Sequence, residues 1–438
     1  MTIRACRIAP SLILLVAVVS SCSQTVAHRI DPLSGAAARA DAMLSAETIG
    51  EHDGVLASDV FEGRETGTRG ERRAAGYIIS ILESCEAIEP DGPDGGWLQP
   101  FDVTVHLEAA TANNILARLP GTDPALAQEC IVLGAHYDHV GFGRSGNSLD
   151  PGNHEVHNGA DDNASGSSVL LDLATSLARS GWRPRRTILF QWYSGEELGL
   201  LGSAYWVKHP THPIGDVAFM INMDMVGRML GRTLLVGGTG TSPGLSEMAL
   251  AGCKELGLAM LDDPPGTAPS DNSSFYDAGI PCVFLFTGLH EDYHRATDDT
   301  EKLELGGMRD VGRLALRLLL AIDGADARPV FRRSPGNANE FQPFLYIGVA
   351  FADSEHPELA AVRAQVVIPG APAERAGLRE GDLVVALDGH VLASLAELEK
   401  LLHPGSGPIV PLDFTVLRPS ADGASFETLH VVVQPVIR

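Results

Sequence analysis

The sequence predicts an α/β protein: a mostly parallel sheet covered on both faces, followed by a small α+β module. Three observations support this. Segments 131–134, 187–192, 217–223, 233–236 and 282–286 are apolar runs without polar alternation, as strands buried on both faces require. Helical patterns at 165–178, 200–208, 243–256 and 308–322 separate them, the order expected of βα units. At 328–342 (RPVFRRSPGNANEFQ) Pro, Gly and Asn break the rhythm, and 343–438 read as strands with two short helices.

In chain order, residues 1–21 carry Arg4 and Arg7 ahead of an apolar stretch, 12–19, that is too short to span a bilayer and reads as a signal segment. The word Val19-Ser20-Ser21-Cys22 resembles the lipobox of bacterial lipoproteins, which implies acylation of Cys22. Two or more acyl chains would anchor the protein stably to a membrane. The expected location is then outside the cytoplasm, on the outer membrane facing the periplasm of a bacterium. The alternative is an ordinary secretory signal cut near Ala27. Residues 22–43 are small and polar, a tether. Residues 70–84 have helical periodicity, with Ala74, Tyr77, Ile78 and Ile81 on one face. The main domain is expected over 44–327, a linker over 328–342 and the small module over 343–438.

The chain's 438 residues easily support a full core. The 32 basic residues against 56 acidic ones argue against a nucleic-acid partner, which would favour a basic face. Cys85, Cys130, Cys253 and Cys282 lie outside any C-x-x-C pair, so buried thiols or a single disulfide are expected.

Five metal-competent side chains follow an apolar run or stand at the mouth of a helix. They are His136 in GAHYDH, Asp162 in NGADDNASG, Glu197 in SGEELG, Asp224 in INMDMVG and His294 in EDYHRATDD. In open α/β sheets, sites form beyond the carboxyl ends of the strands, so all five are expected on one sheet edge. Two imidazoles and three carboxylates suit a pair of borderline-hard cations such as zinc. Glu196, beside Glu197, is the spare carboxylate that a metal-assisted hydrolase needs as a proton carrier.

These words, with SDNSSFYDAGIP, resemble the co-catalytic zinc aminopeptidase family that includes glutaminyl cyclases and glutamate carboxypeptidases. The resemblance covers about residues 44–323. It implies the zinc exopeptidase fold and two zinc ions. Asp162 would bridge both ions; one would add His136 and Asp224, the other Glu197 and His294. Glu196 would be the general base, Tyr293 would steady the tetrahedral intermediate, and Asp138 would orient the His136 imidazole. Asn272 stands where the family has histidine, which puts a rim or substrate contact in doubt. The short step from PFDV to NNILARLPG leaves no room for an inserted accessory domain.

Two motifs compete and fail. His290-Glu291-Asp292-Tyr293-His294 matches H-E-x-x-H, but no amphipathic helix continues from it, so His290 is expected at the rim. Gly240-Thr241-Ser242-Pro243-Gly244 matches the serine-hydrolase elbow, but Pro243 lacks the N–H that an oxyanion hole would use. Ser242 as a helix cap with Pro243 at the first helical position is the expected alternative. The loop 141–157 lies between two of the candidate ligands, and its histidines, His154 and His157, are expected in solvent, with substrate contact as the alternative.

GAPAERAGL and GDLVVALDG, with Tyr346-Ile347-Gly348-Val349 ahead of them, resemble a PDZ domain of the bacterial protease type. That implies capture of an extended peptide or a protein C-terminus near Tyr346, Ile347, Gly348 and Val349. An intramolecular clamp is the alternative. The expected function is a zinc-dependent aminopeptidase acting on peptides. The alternatives are a carboxypeptidase or dipeptidase of the same fold, or a non-catalytic peptide-binding lipoprotein.

Overall fold

The computed structural model describes residues 33, 35–144, 148–150, 155–334, 345–347, 349–354, 361–367, 372–392, 394–402, 411–420, 425–434 and 436–437. Cys22, His154 and Gly348 lie outside them. Among the described residues no helix is long and apolar enough to cross a membrane.

The main domain opens with helices α1 (Gly35–Met43), α2 (Ala46–Leu56) and α3 (Arg69–Glu83), then strands β1 (Glu89–Pro90), β2 (Leu98–Val105), β3 (Glu108–Leu119) and β4 (Cys130–His136). Next come α4 (Gly166–Ser180), β5 (Thr187–Tyr193), α5 (Leu201–Lys208), β6 (Val217–Met223) and β7 (Thr233–Gly237). The domain closes with α6 (Leu245–Leu256), β8 (Ala259–Asp263), α7 (Asn272–Asp277), β9 (Cys282–Phe286) and α8 (Leu305–Gly324). The strands run in the order β1-β3-β5-β4-β6-β9-β7-β8, with β2 also paired to β3.

The centre of this sheet is parallel: β4 pairs in parallel with β5 and β6, and β6 with β9. The flanks are mixed, because β3 runs antiparallel to β5 and β7 antiparallel to β9. Every residue of β4, β5 and β6 is buried. Their side chains divide between two apolar layers. Ile131, Leu133, Phe190, Trp192, Phe219 and Ile221 pack with helix residues such as Ile78, Leu170 and Leu318. Cys130, Val132, Leu189, Val217 and Met220 pack on the opposite face with Trp206 of α5 and Phe275 of α7. Period-2 geometry with apolar residues at both phases is what made these strands read as unbroken runs.

Residues 328–334 remain attached to the main domain. Arg328 donates to the carbonyls of Gly215 and Val217, and the N–H of Arg332 donates to Thr241 O. The Phe331 ring lies 5.5 Å from Tyr276. The first half of the expected linker is therefore docked.

The small module holds β10 (Leu345–Tyr346), β11 (Val349–Asp353), β12 (Val362–Val367), α9 (Pro372–Arg375), β13 (Leu383–Leu387) and β14 (His390–Val391). It ends with α10 (Leu395–Leu402), β15 (Leu412–Pro419), β16 (Phe426–Val433) and β17 (Val436–Ile437). Its sheet runs β11-β12-β13-β15-β16, and its core, which includes Val384, Leu398 and Phe414, is separate from those of the main domain.

Candidate metal centre

The carboxyl ends of the central strands deliver the predicted residues to one place. His136 ends β4, Asp224 directly follows β6, Glu196 and Glu197 follow β5, and His294 lies beyond β9. Asp162 stands in the turn ahead of α4. Its backbone is fixed by Asp298, whose Oδ2 accepts the N–H groups of Asp161 and Asp162 at 2.9 and 3.1 Å.

The distances fall into two sets. Nε2 of His136 is 3.2 Å from Asp224 Oδ1 and 3.3 Å from Asp162 Oδ1. Nε2 of His294 is 3.1 Å from Asp162 Oδ2 and 3.1 Å from Glu197 Oε2. Asp162 thus turns one oxygen to each histidine, the disposition a bridging carboxylate needs. Glu196 Oε2 is 4.0 Å from His136 Nε2. Ser270 donates to Asp224 Oδ2 at 2.6 Å and is itself held by Asn222.

The electrostatics ask for cations. Burial pulls the His136 imidazole down, but Asp224 and Glu196 outweigh it and hold the ring well above its ordinary value. His294 is likewise lowered by burial yet raised, by Glu197 and Asp162, to about 11. Burial, together with Asp224 and Glu197, pushes Glu196 well up despite the opposing His136. Glu197 is raised by burial but drawn down to about 2, chiefly by His294. Crowded with little water, the carboxylates draw protons onto the histidines and favour the protonated form of Glu196, and metal ions would take the place of such protons. Two groups have ligand atoms that all lie within 4.8 Å of one another: His136, Glu196 and Asp224, and His139, Asp162 and Glu197. The donor set fits metal ions.

Asp138 differs in detail from its expected role. Its carboxylate Oδ1 stands 3.7 Å from His136 Nδ1, while its backbone carbonyl is nearer at 3.2 Å. The carboxylate instead accepts the Glu196 N–H at 3.2 Å and the Thr66 hydroxyl at 2.7 Å. It therefore positions the Glu196 backbone as well as the imidazole. Tyr293 lies in the same cavity, its ring stacked on His294 with centroids 3.8 Å apart.

Several sequence expectations are corrected. His290 is buried rather than at the rim, its Nε2 3.1 Å from Asp161 Oδ2. Residues 291–294 form a turn, not a helix. Asn272 is fully buried, and its amide donates to Gly266 O at 2.9 Å. His157 is buried beside Ser148, not in solvent. Ser242 is extended, and α6 begins at Leu245 behind Gly244 in a left-handed conformation. One expectation stands among these corrections: Cys85, Cys130, Cys253 and Cys282 are buried free thiols, the first of the two arrangements expected.

Sequence reasoning missed His139 and the apolar wall. The cavity, of ≈ 230 Å³, has His136, Asp162, Glu196, Asp224 and His294 at its base and Met225, Pro269, Phe284, Phe286 and Leu289 around it. Phe284 and Phe286 are i, i+2 on β9, so one face of a strand that looked like ordinary core lines the site.

Residues 114–319 match the model of Peptidase family M28, and residues 364–412 match a PDZ domain. The segment 114–319 is thus similar to M28 peptidases. Leupeptin-inactivating enzyme 1 of Streptomyces exfoliatus is 30% identical over 194 residues, covering 44% of this chain and 39% of that protein. A probable leucine aminopeptidase of Arthroderma otae is 27% identical over 266 residues, 58% of this chain and 66% of that one. The chain thus spans less than two thirds of the length of these relatives. The solved structure of the Legionella pneumophila LapA aminopeptidase shares the fold at 21% identity with a TM-score of 0.54, covering 68% of this chain and 76% of that one.

In the PDZ domain, Tyr346 pairs with Val436 and Val349 with Val367. Ile347 is buried, and its carbonyl accepts the N–H of Ala373 at 2.9 Å. The strand β11 stands at the end of its sheet, paired only with β12 among the described residues.

Proposed function

We propose that this chain is a zinc-dependent aminopeptidase that removes apolar N-terminal residues from peptides. The observation that carries this is the cavity itself: carboxylates and histidines at its base, an apolar wall, and no Lys or Arg among its described lining residues. A carboxypeptidase needs a cation to hold the substrate's terminal carboxylate, whereas carboxylates suit a terminal ammonium. The small volume suits a single side chain; sites for drug-sized ligands run to about 300–1,000 Å³. The names of the curated relatives agree with this direction.

His136, Asp162 and Asp224 would hold one zinc ion, and Asp162, Glu197 and His294 a second. Bound there, two ions would supply an electrophile for the scissile carbonyl and bring the pKa of a water toward neutrality. Glu196, free of that set and held by Asp138 through its backbone, takes the water's proton and hands it to the departing amine. The Tyr293 hydroxyl donates to the oxygen that gains negative charge. Met225, Phe284, Phe286 and Leu289 exclude water and seat the side chain of the N-terminal residue.

A panel of aminoacyl chromogenic amides tests the reading. Leu and Phe amides are expected to turn over at least about tenfold faster than Asp or Lys amides, since one or two buried methylenes alone give such ratios. N-acetylated Leu amide is expected to be inert. Release of C-terminal residues from N-blocked dipeptides would reverse the direction.

We propose further that the PDZ domain recruits extended peptides as an added strand on the free edge of β11, beside α10, with the Tyr346–Val349 segment receiving a terminal carboxylate. We also propose that acylated Cys22 ties the enzyme to the outer membrane, facing the periplasm. The lipobox-like word supports this, and metabolic labelling with a radiolabelled or clickable fatty acid, lost in a Cys22→Ser protein, tests it.

A further inference from the structure

We infer that His139 is a positioning residue: its Nδ1–H holds one oxygen of Glu197 and so turns the other toward Asp162 and His294. The inference rests on the two-ion reading above. The two oxygens of Glu197 have different partners. Oε1 is 2.8 Å from His139 Nδ1, and Oε2 is 3.1 Å from His294 Nε2. A carboxylate held at one oxygen presents the other in a fixed direction, which is how neighbouring groups tune a metal ligand.

The geometry separates His139 from the ligands. His294 Nε2 is equally close, 3.1 Å, to a carboxylate oxygen of Asp162 and of Glu197. His139 Nδ1 is 2.8 Å from Glu197 Oε1 but 3.7 Å from Asp162 Oδ2. Its other nitrogen, Nε2, is buried with no hydrogen-bond partner among the described residues. In a neutral ring the proton therefore belongs on Nδ1, because a buried N–H without an acceptor is costly.

The ring is also held in place. The backbone N–H of His139 donates to Arg64 O at 3.2 Å, and the ring meets that of His294 edge-on at 5.6 Å. Gly159, at φ +55°, lies under it. A Cβ at that position would stand 2.4 Å from His139 Cδ2, so only glycine admits the ring.

Zinc titration by calorimetry of the metal-free full chain tests the role with His139→Asn and His139→Leu. Asn places a side-chain N–H near the position of Nδ1–H; Leu fills the space without a donor. The Leu variant is expected to bind the second ion about 10–100-fold more weakly than wild type, with the first unchanged. The Asn variant should recover most of that affinity. His294→Ala, as the reference, loses the second ion. Equal second-ion affinity in the Asn and Leu variants overturns the inference: both like wild type would make His139 irrelevant, and both like His294→Ala would make it a ligand. Wild-type stoichiometry from the same titration reports separately on the two-ion reading.

Discussion

Glu196 and Glu197 are adjacent in sequence and opposite in task. Glu197 reaches two histidines, whereas Glu196 is held through its backbone N–H and leaves its carboxylate toward the cavity. Glu196→Gln should keep full metal content, measured by atomic absorption, while kcat falls about 10²–10⁴-fold, the usual contribution of positioned proton transfer. Normal turnover would remove the general-base role. Behind the site, Glu71 accepts from Gly67 N–H and from the Tyr137 hydroxyl. Burial, opposed by these hydrogen bonds, moves it from 4.5 to about 7. The fold therefore favours the protonated acid. That stabilisation is full below pH 4.5 and lost as pH rises through about 7. Glu71→Gln should gain on wild type over this window by up to about 3 kcal/mol, read as a difference in denaturation slopes with pH. A lost acceptor adds only a pH-independent offset. The residues legible from sequence were those at strand ends and a helix mouth. His139 was not, because its place depends on the bridge between its backbone and that of Glu65, a non-local contact that no local pattern displays.

The elements were legible where burial is two-sided. Val217–Met223 and Cys282–Phe286 match the predicted segments residue for residue, since apolar runs of that length bounded by polar residues admit few alternatives. The antiparallel partners at the flanks were not legible, because strand direction depends on how the chain returns and not on composition. Nor was the start of α6, where Gly244 takes a left-handed turn that Ser242-Pro243 did not signal. The helix α4 bears directly on the site. A Cβ on Gly166 would stand 2.3 Å from Met223 O and 2.4 Å from Asn163 Oδ1. Gly166→Ala should therefore push the first turn of α4 off β6, costing about 1–3 kcal/mol in denaturant unfolding. Because the preceding turn carries Asp162, zinc affinity should fall with it. A stable Gly166→Ala protein with unchanged zinc content would show that the turn adapts.

At the level of the whole molecule, the two domains have separate apolar cores, so catalysis and capture are expected to be separable. The position of the cut matters. A chain ending after Ser334 retains Arg328, Phe331 and the bond from the Tyr276 hydroxyl to Ser334 O. It should hydrolyse single-residue amides at close to the full-length rate and longer peptides less well, because recruitment raises local substrate concentration without changing the chemical step. A chain ending after Ala327 should melt several degrees lower by calorimetry, as about 1 kcal/mol moves a domain of this size by a few degrees. Loss of amide hydrolysis in the longer truncation would favour the clamp reading of the PDZ domain.

The contact between Asp162 and His294 joins chain segments more than a hundred residues apart, and His136 lies further upstream still. During synthesis, everything up to α7 can emerge before the last ligand exists. On the proposed reading, peptide hydrolysis would therefore arrive only after the central strands can already have paired. A polypeptide released early, at any point before residue 294, is expected to be inert toward peptides however well its first half has folded. Nascent-chain fragments of increasing length, assayed for protease resistance and for hydrolysis, should gain the former gradually and the latter in one step.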